Sequence, residues 1–310
     1  MSEASKKVAI IGSGNVGSNT AFLVALLGVA NIALIDVAEG LAEGRALDIC
    51  QALSILQLDE DVVGGQDFAL LKGAEIVIIT AGFPRKPGMS RKDLLDKNAA
   101  IIKSVCAEIK EKAPDAIVIV VTNPVDAMAH LAWKELGFAH EKVIGMGGML
   151  DSGRFIHFIT EATGVARSAV QAVVIGSHSD QMVPLTSFVR VGDEDSDFPV
   201  KESVLSGAAE KTKHGGAEIV KLLKTGSAAY GPAAALSTMI NSIIDDEKQV
   251  FSVCTLAQGE YGLSDIYVNL PVQLGADGAG QIVEIELSEE EEKALELSAD
   301  SIREMLSELG

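Results

Sequence analysis

No stretch of this chain restricts its fold more than "VAIIGSGNVGSNTAFLVAL", residues 8–26. A run of β-branched and apolar residues ends on Gly12, Gly14 and Gly17 follow in G-x-G-x-x-G spacing, and a helical period begins at once. A strand must therefore pass into a helix through a turn whose main-chain amides are not screened by side chains. The first glycine permits the tight turn, the second lets a pyrophosphate approach the backbone, and the third lets the helix pack close to the strand. The helix start adds unpaired N–H donors and the positive end of its dipole. A second apolar run, "NIALID", ends at Asp36, about 20 residues beyond the last glycine. A carboxylate there accepts hydrogen bonds from an adenosine ribose diol and repels a 2'-phosphate. Val37 and Ala38 come next and no arginine occurs before Arg45. NAD is therefore expected rather than NADP, held by Gly12, Ser13, Gly14, Asn15, Val16, Gly17 and Asp36.

The same texture continues along the first half. Val- and Ile-rich runs at 7–12, 31–36, 75–81, 116–123 and 142–146 alternate with helical stretches near 15–29, 39–56, 91–113 and 124–137. Such runs suit strands of a parallel sheet buried on both faces. After about residue 147 the alternation is lost. Helices near 150–163, 201–224, 230–245 and 288–309 frame shorter strands near 170–176, 187–191, 249–257, 266–274 and 281–286. The expected fold class is α/β: a doubly wound parallel (Rossmann) sheet over residues 1–147 and an α+β substrate domain over 148–310. With 310 residues, 48% of them hydrophobic, the chain can bury a core for both.

A formal charge of −19 argues against nucleic acid or an anionic lipid surface as a partner, since either needs a clustered basic face. Cys50, Cys106 and Cys254 are scattered, with no CxxC spacing, which predicts neither disulfides nor a metal site and suits a reducing compartment. No apolar run reaches the ~18 residues of a membrane span, so a cytoplasmic protein is expected. The acidic run at 288–309 reads as the first turn and solvated face of a closing amphipathic helix. Against this acidic balance, "AGFPRKPGMSR" at 81–91 carries Arg85, Lys86 and Arg91 and no acid. It is either an ordinary solvated turn or a loop built for an anion.

His178, one of five histidines, lies in "VVIGSHSDQMVP", past an apolar run and among small residues. Asp151 and Arg154 in "GMLDSGRF" are one helical turn apart. A carboxylate beside an imidazole selects its tautomer and raises its pKa, and a neighbouring arginine offers a planar fork to a substrate carboxylate. Spacing alone leaves open that Asp151 and Arg154 form only a surface ion pair.

Taken in order, "IGSGNVG", "LIDV", "TAGFPRKPGMSRKDLLDKNA", "VTNPVD", "IGMGGMLDSGRF", "GSHSDQMVP" and "LLKTGSAAYGPA" resemble the lactate/malate dehydrogenase family over essentially the whole chain, and most closely its lactate dehydrogenase-like malate dehydrogenases. The resemblance implies that His178 is the proton donor and acceptor and Asp151 its partner. It implies that Arg154 clamps the carboxylate beside the reacting carbon and Arg91 polarises the carbonyl from a mobile loop. Asn123 is implied to bond the substrate oxygen and help place the nicotinamide, with Asn98, Val121 and Thr122 along the cofactor. Arg85 matches the position where malate dehydrogenases carry arginine and lactate dehydrogenases glutamine, so the far carboxylate of malate or oxaloacetate is its expected ligand; small Ala228 agrees. A homodimer or homotetramer is implied, with helix 39–56 a candidate interface. Two departures stand out: Ser179 follows the histidine where the family usually has glycine, and Ser177 precedes it. If that backbone needs positive φ, Ser179 is strained. The competing readings are a lactate dehydrogenase or broad 2-ketoacid reductase and a non-catalytic dinucleotide-binding regulator.

Overall fold

The computed structural model describes residues 6–83, 90–193, 196–197 and 199–309, with main chain alone at Arg91, Asp193, Ser196 and Asp197. The first half runs β1 (Lys7–Ile11), α1 (Asn15–Leu26), β2 (Asn31–Ile35), α2 (Leu41–Leu56), β3 (Val62–Gly65), β4 (Ile76–Ile79), α3 (Arg91–Lys112), β5 (Ile117–Val120), α4 (Val125–Leu136) and β6 (Val143–Gly145). These strands pair in parallel in the order β6-β5-β4-β1-β2-β3. This is the doubly wound order, in which the loops at the carboxyl ends of the strands converge on one crevice.

Strand alternation divides the core. Val8, Ile10, Ile32, Leu34, Ile76 and Ile78 face one layer with Ala21 and Val24 of α1 and Leu53 of α2. Ala9, Ile11, Ala33, Ile35, Val77 and Ile79 face the other, with Leu95 and Ile102 of α3 and Met128 of α4. Burial of each such isoleucine contributes about 1.5–3 kcal/mol, so the site stands on a stiff platform.

The second half comprises α5 (Gly148–Thr163), β7 (Val170–Gln171), β8 (Val174–Ile175), β9 (Val183–Pro184), β10 (Arg190–Asp193), β11 (Ser196–Asp197), α6 (Glu202–Leu223), α7 (Tyr230–Ile244), β12 (Gln249–Gln258), β13 (Ser264–Gly275), β14 (Gly278–Ile282) and α8 (Glu289–Leu309). The hairpin of β12 and β13 joins the large sheet: β12 pairs antiparallel with β6 through Cys254 and Gly145, giving the order β14-β13-β12-β6-β5-β4-β1-β2-β3. α7 packs its Leu236, Met239 and Ile240 into the same core layer as α1. The remaining short strands pair as β11-β10-β7 and β8-β9.

Several expectations need correction. The strand expected over 170–176 is two, β7 and β8; that expected over 187–191 is β10; and that expected over 281–286 is β14, which starts earlier. β3 was not expected at all, because "VVGG" after three acids reads as a loop and becomes a strand only by pairing with β2 at the sheet edge. The acidic start of α8 is not wholly solvated. Glu291 is buried, accepting hydrogen bonds from the main chain and hydroxyl of Ser187 (3.1 and 2.6 Å) and of Ser288 (2.9 and 3.0 Å).

Candidate active site

The turn after β1 is built as its glycines require. Gly12 takes φ +107°, and a Cβ there would meet Thr80 Oγ1 at 2.6 Å and Ala81 N at 2.7 Å. A Cβ on Gly17 would run into the carbonyl oxygen of Gly12, whereas one on Gly14 would meet nothing within 4 Å. The third glycine therefore serves packing, and the second leaves open space in front of the amino terminus of α1. Ser13 is fully buried; its N–H donates to Asp36 Oδ2 at 2.7 Å, and its hydroxyl is without a hydrogen-bond partner. Asp36 Oδ1 accepts from the N–H of Ala38 at 2.9 Å. The carboxylate that ends β2 is thus clamped to the glycine turn, at the position a ribose diol would need. Asn15 is exposed at the start of α1, and Val16 is half-buried against the core. An open cradle of N–H donors, an orphan buried hydroxyl and a fixed acid together fit a dinucleotide.

The strand ends beyond β4 and β5 meet beside that turn. Asn98 on α3 is buried, accepts from the N–H of Phe83 at 2.7 Å and donates to the carbonyl of Asn123 at 2.7 Å. Thr122, also buried, donates to the carbonyl of Ala81 at 2.7 Å. Asn98 and Thr122 therefore lash the two loops together, while Val121 is half-buried and Asn123 exposed. Ser90 caps α3 in a reciprocal capping box with Asp93. Arg91 is the first residue of that helix, described by its main chain alone. The expected contact of Arg85 lies outside the described residues, as do Pro84, Lys86, Pro87 and Gly88 of the same loop.

His178, Asp151 and Arg154 come together, and they are not a surface pair. Asp151, 1% exposed on α5, accepts from Arg154 Nη1 at 2.9 Å on one oxygen and pairs with His178 Nδ1 at 2.6 Å on the other. Gly216 of α6 lies against the Arg154 guanidinium, where a Cβ on it would stand 3.3 Å from Nη2. Arg154 Nε is buried without a hydrogen-bond partner among the described residues. The imidazole keeps 14% exposure. With Nδ1 committed to the carboxylate, Nε2 is the nitrogen left to exchange a proton. Burial by itself lowers the His178 pKa, but the charge and hydrogen bond of Asp151, then the charge of Asp126, outweigh it against the opposing Arg154, and the balance is upward.

The conditional strain at Ser179 is absent, because its φ is not positive; the loop turns instead at Gly176, φ +85°. Ser177 and Ser179 share a hydrogen bond between their hydroxyls at 2.7 Å.

Three polar residues around this loop escaped sequence reasoning. Asp126 of α4 accepts from the N–H of His178 at 2.9 Å, Asn269 of β13 donates to the carbonyl of Gly176 at 2.8 Å, and Ser298 of α8 accepts from the N–H of Ser177 at 2.7 Å. Of these only Asp126 left a trace in the sequence, as a lone acid in the apolar "NPVDAMAHLAW".

Comparison with known proteins bears on the whole chain. Residues 6–145 match the family model described as lactate/malate dehydrogenase, NAD binding domain, and residues 148–309 the one described as lactate/malate dehydrogenase, alpha/beta C-terminal domain. The chain is 40% identical over 316 residues to a malate dehydrogenase of Syntrophotalea carbinolica, covering 98% of each chain. It is 41% identical over 305 residues to malate dehydrogenase 1 of Anaeromyxobacter dehalogenans, again covering 98% of each. Among solved structures it is similar to a malate dehydrogenase of Cryptosporidium parvum (TM-score 0.94, 37% identity, 99% of each chain). It is equally similar in shape to a lactate dehydrogenase of the same organism solved with lactic acid and nicotinamide adenine dinucleotide (TM-score 0.94, 36% identity, 99% of this chain and 98% of that one).

Proposed function

Since the chain belongs to the lactate/malate dehydrogenase family, we infer that it is an NAD-dependent malate dehydrogenase, interconverting malate and oxaloacetate. The observation that carries the reading is Asp151, a buried carboxylate with one oxygen on His178 and the other on Arg154. One acid thereby aligns a proton carrier and a carboxylate clamp on the same substrate.

The Gly12–Gly17 turn, with Asp36 toward the ribose diol, would hold the cofactor, which when bound would accept hydride from malate as NAD or supply it to oxaloacetate as NADH. During reduction His178, protonated at Nε2, donates its proton to the oxaloacetate oxygen; during malate oxidation the neutral ring takes it back. Arg154 grips the carboxylate beside that carbon through a charge-assisted fork. Asn123 and Arg91 stabilise the developing alkoxide. Asn98, Val121 and Thr122 shape the cofactor side of the crevice. Arg85 meets the far carboxylate, and closure of its loop excludes water.

Since both enzymes share the fold, it is Arg85 and the malate dehydrogenases among its relatives that favour malate over lactate. A buried carboxylate needs a partner, and an arginine pairing contributes about 1.5–3 kcal/mol, so one side chain shifts preference by about tenfold to a hundredfold. NADH consumption is followed with oxaloacetate and with pyruvate, in wild type and in Arg85→Gln. The variant is expected to move the ratio of kcat/KM toward pyruvate by at least about tenfold. An unchanged ratio would remove Arg85 from the substrate site and leave a broad 2-ketoacid reductase. Absence of turnover with either acid would leave the non-catalytic reading.

A cytoplasmic setting and a homodimer or homotetramer complete the proposal. Among the described residues no helix is long and apolar enough to cross a membrane. On α2, Leu47 is 62% and Ile55 83% exposed, apolar area that a second copy would cover.

A further inference from the structure

Asp126 is a buried acid for which the mechanism above has no use. It is 1% exposed near the start of α4, one helical turn beyond Asn123. Its Oδ2 accepts from the main-chain N–H of His178 at 2.9 Å. Its Oδ1 accepts from Asn269 Nδ2 at 3.2 Å and from Cys254 Sγ at 3.5 Å. Asn269 is itself fixed: its Oδ1 accepts from the N–H of Gly148 at 2.6 Å, and its Nδ2 also donates to the carbonyl of Gly176. Among the described residues each of these bonds is donated to Asp126. Of the three partners only the Cys254 sulfur can also accept, and weakly, so the surroundings suit the ionised form. Of the three groups that pin the loop carrying His178, only Asp126 brings charge.

We propose that Asp126 is a positioning residue for the proton carrier: it fixes the main chain of His178 and sets a second negative charge beside that of Asp151, against the positive charge of Arg154. The inference rests on His178 carrying the proton. Through Asp126 the carrier is tied to the same helix that begins next to Asn123, so cofactor loop and proton donor move as one unit. Burial pushes the Asp126 pKa up; His178, by charge and main-chain bond, and the Cys254 thiol pull it down, Asp151 pushes it up, and it comes to about 6. At neutral pH it is a carboxylate, and its charge favours imidazolium. Among the described residues Asp151, Arg154 and Asp126 are the charged groups that act on the imidazole.

Asp126→Asn keeps the shape, removes the charge and turns an amide donor toward Asn269 or Cys254. The test reads His178 in two ways, by nitrogen-15 NMR titration of the imidazole and by the pH profile of kcat/KM for oxaloacetate reduction. In the variant the NMR midpoint is expected at lower pH. The alkaline fall of kcat/KM should move with it, with a loss of about tenfold at neutral pH and an unchanged KM for NADH. An NMR midpoint equal to that of wild type overturns the proposal. A midpoint that moves while the activity profile stays put upholds the action of Asp126 on His178 and refutes instead His178 as the proton carrier. Should the variant fail to fold, carbon-13 titration of the Asp126 carboxyl in wild type decides: an inflection at the His178 NMR midpoint supports the proposal, and its absence overturns it.

Discussion

Replacing Asp151 by asparagine separates the two roles its carboxylate is given. One oxygen holds His178 Nδ1 at 2.6 Å, the other Arg154 Nη1 at 2.9 Å, and the group is 1% exposed. Each bond is charge-assisted, and such bonds contribute about 1.5–3 kcal/mol. At about 1.4 kcal/mol per decade, the loss through His178 is about 10-fold to 100-fold in kcat/KM. The pH dependence identifies it. In wild type Asp151 raises the His178 pKa, so imidazolium persists to higher pH. In Asp151→Asn that pKa falls, leaving less imidazolium for reduction as pH rises. The deficit should therefore be smallest at acid pH and widen toward alkaline pH. If binding of both NADH and NAD is unchanged, the fixed overall equilibrium makes the deficit equal for oxaloacetate reduction and malate oxidation at any one pH. Weakening of Arg154 adds a pH-independent part, seen as a higher KM for the acid. The assay is initial-rate NADH absorbance in both directions across the pH range. A deficit that is flat with pH, or that shrinks as pH rises, would refute the role given to the Asp151 charge. Stability follows the same sign: the His178–Asp151 contribution is present below the ordinary histidine value of 6.5 and lost as pH rises through the raised folded value. Thermal melting should thus separate wild type from variant most below that pH.

The remaining predictions concern the cradle and the last helix. Gly17→Ala places a methyl against the carbonyl of Gly12, so α1 must shift; NADH affinity by fluorescence titration should fall at least about tenfold and stability by about 1–3 kcal/mol, and unchanged affinity would contradict the reading of the turn. Asp36→Asn should weaken NADH binding and narrow the gap to NADPH, measured by titration with each; an undiminished gap would mean that another group excludes the 2'-phosphate. Glu291→Gln should cost about 1–3 kcal/mol in urea unfolding, since it disturbs a buried acceptor of Ser187 and Ser288 bonds. Burial raises the Glu291 pKa, but the bonds from Ser187 and Ser288 lower it further, so its contribution is present above the ordinary value of 4.5 and lost as pH falls through the lowered folded value. A variant that loses nothing in that comparison would show the bonds to be neutral.

Much of the site was legible because its signals are local. The glycine turn and Asp36 follow from strand, turn and helix in succession, and each of those residue types has a steric or electrostatic reason that survives in one dimension. Asp151 and Arg154 are a helical turn apart, so their alliance was visible, though not their burial. The alternative of a surface ion pair fell only when His178, distant in sequence, was found on the second oxygen. Strain at Ser179 likewise depends on its φ, which the chain sets only in the fold, where the turn falls at Gly176 instead.

By itself the sequence determined five of the six strands and the four helices of the first half, the glycine turn after the first strand and the set of polar groups proposed for proton transfer. These depend on apolar period, glycine at required positions and residue chemistry, all properties of neighbours in the chain. Tertiary structure alone decided that β12 continues the sheet from β6, that β3 is a strand, that Glu291 is buried, and that Asp126, Asn269 and Ser298 converge on the loop of His178. Those outcomes hang on register between distant elements: in a packed interior, a hydrogen bond exists only where donor and acceptor are brought within about 3 Å. A linear pattern of residue types carries no measure of that distance.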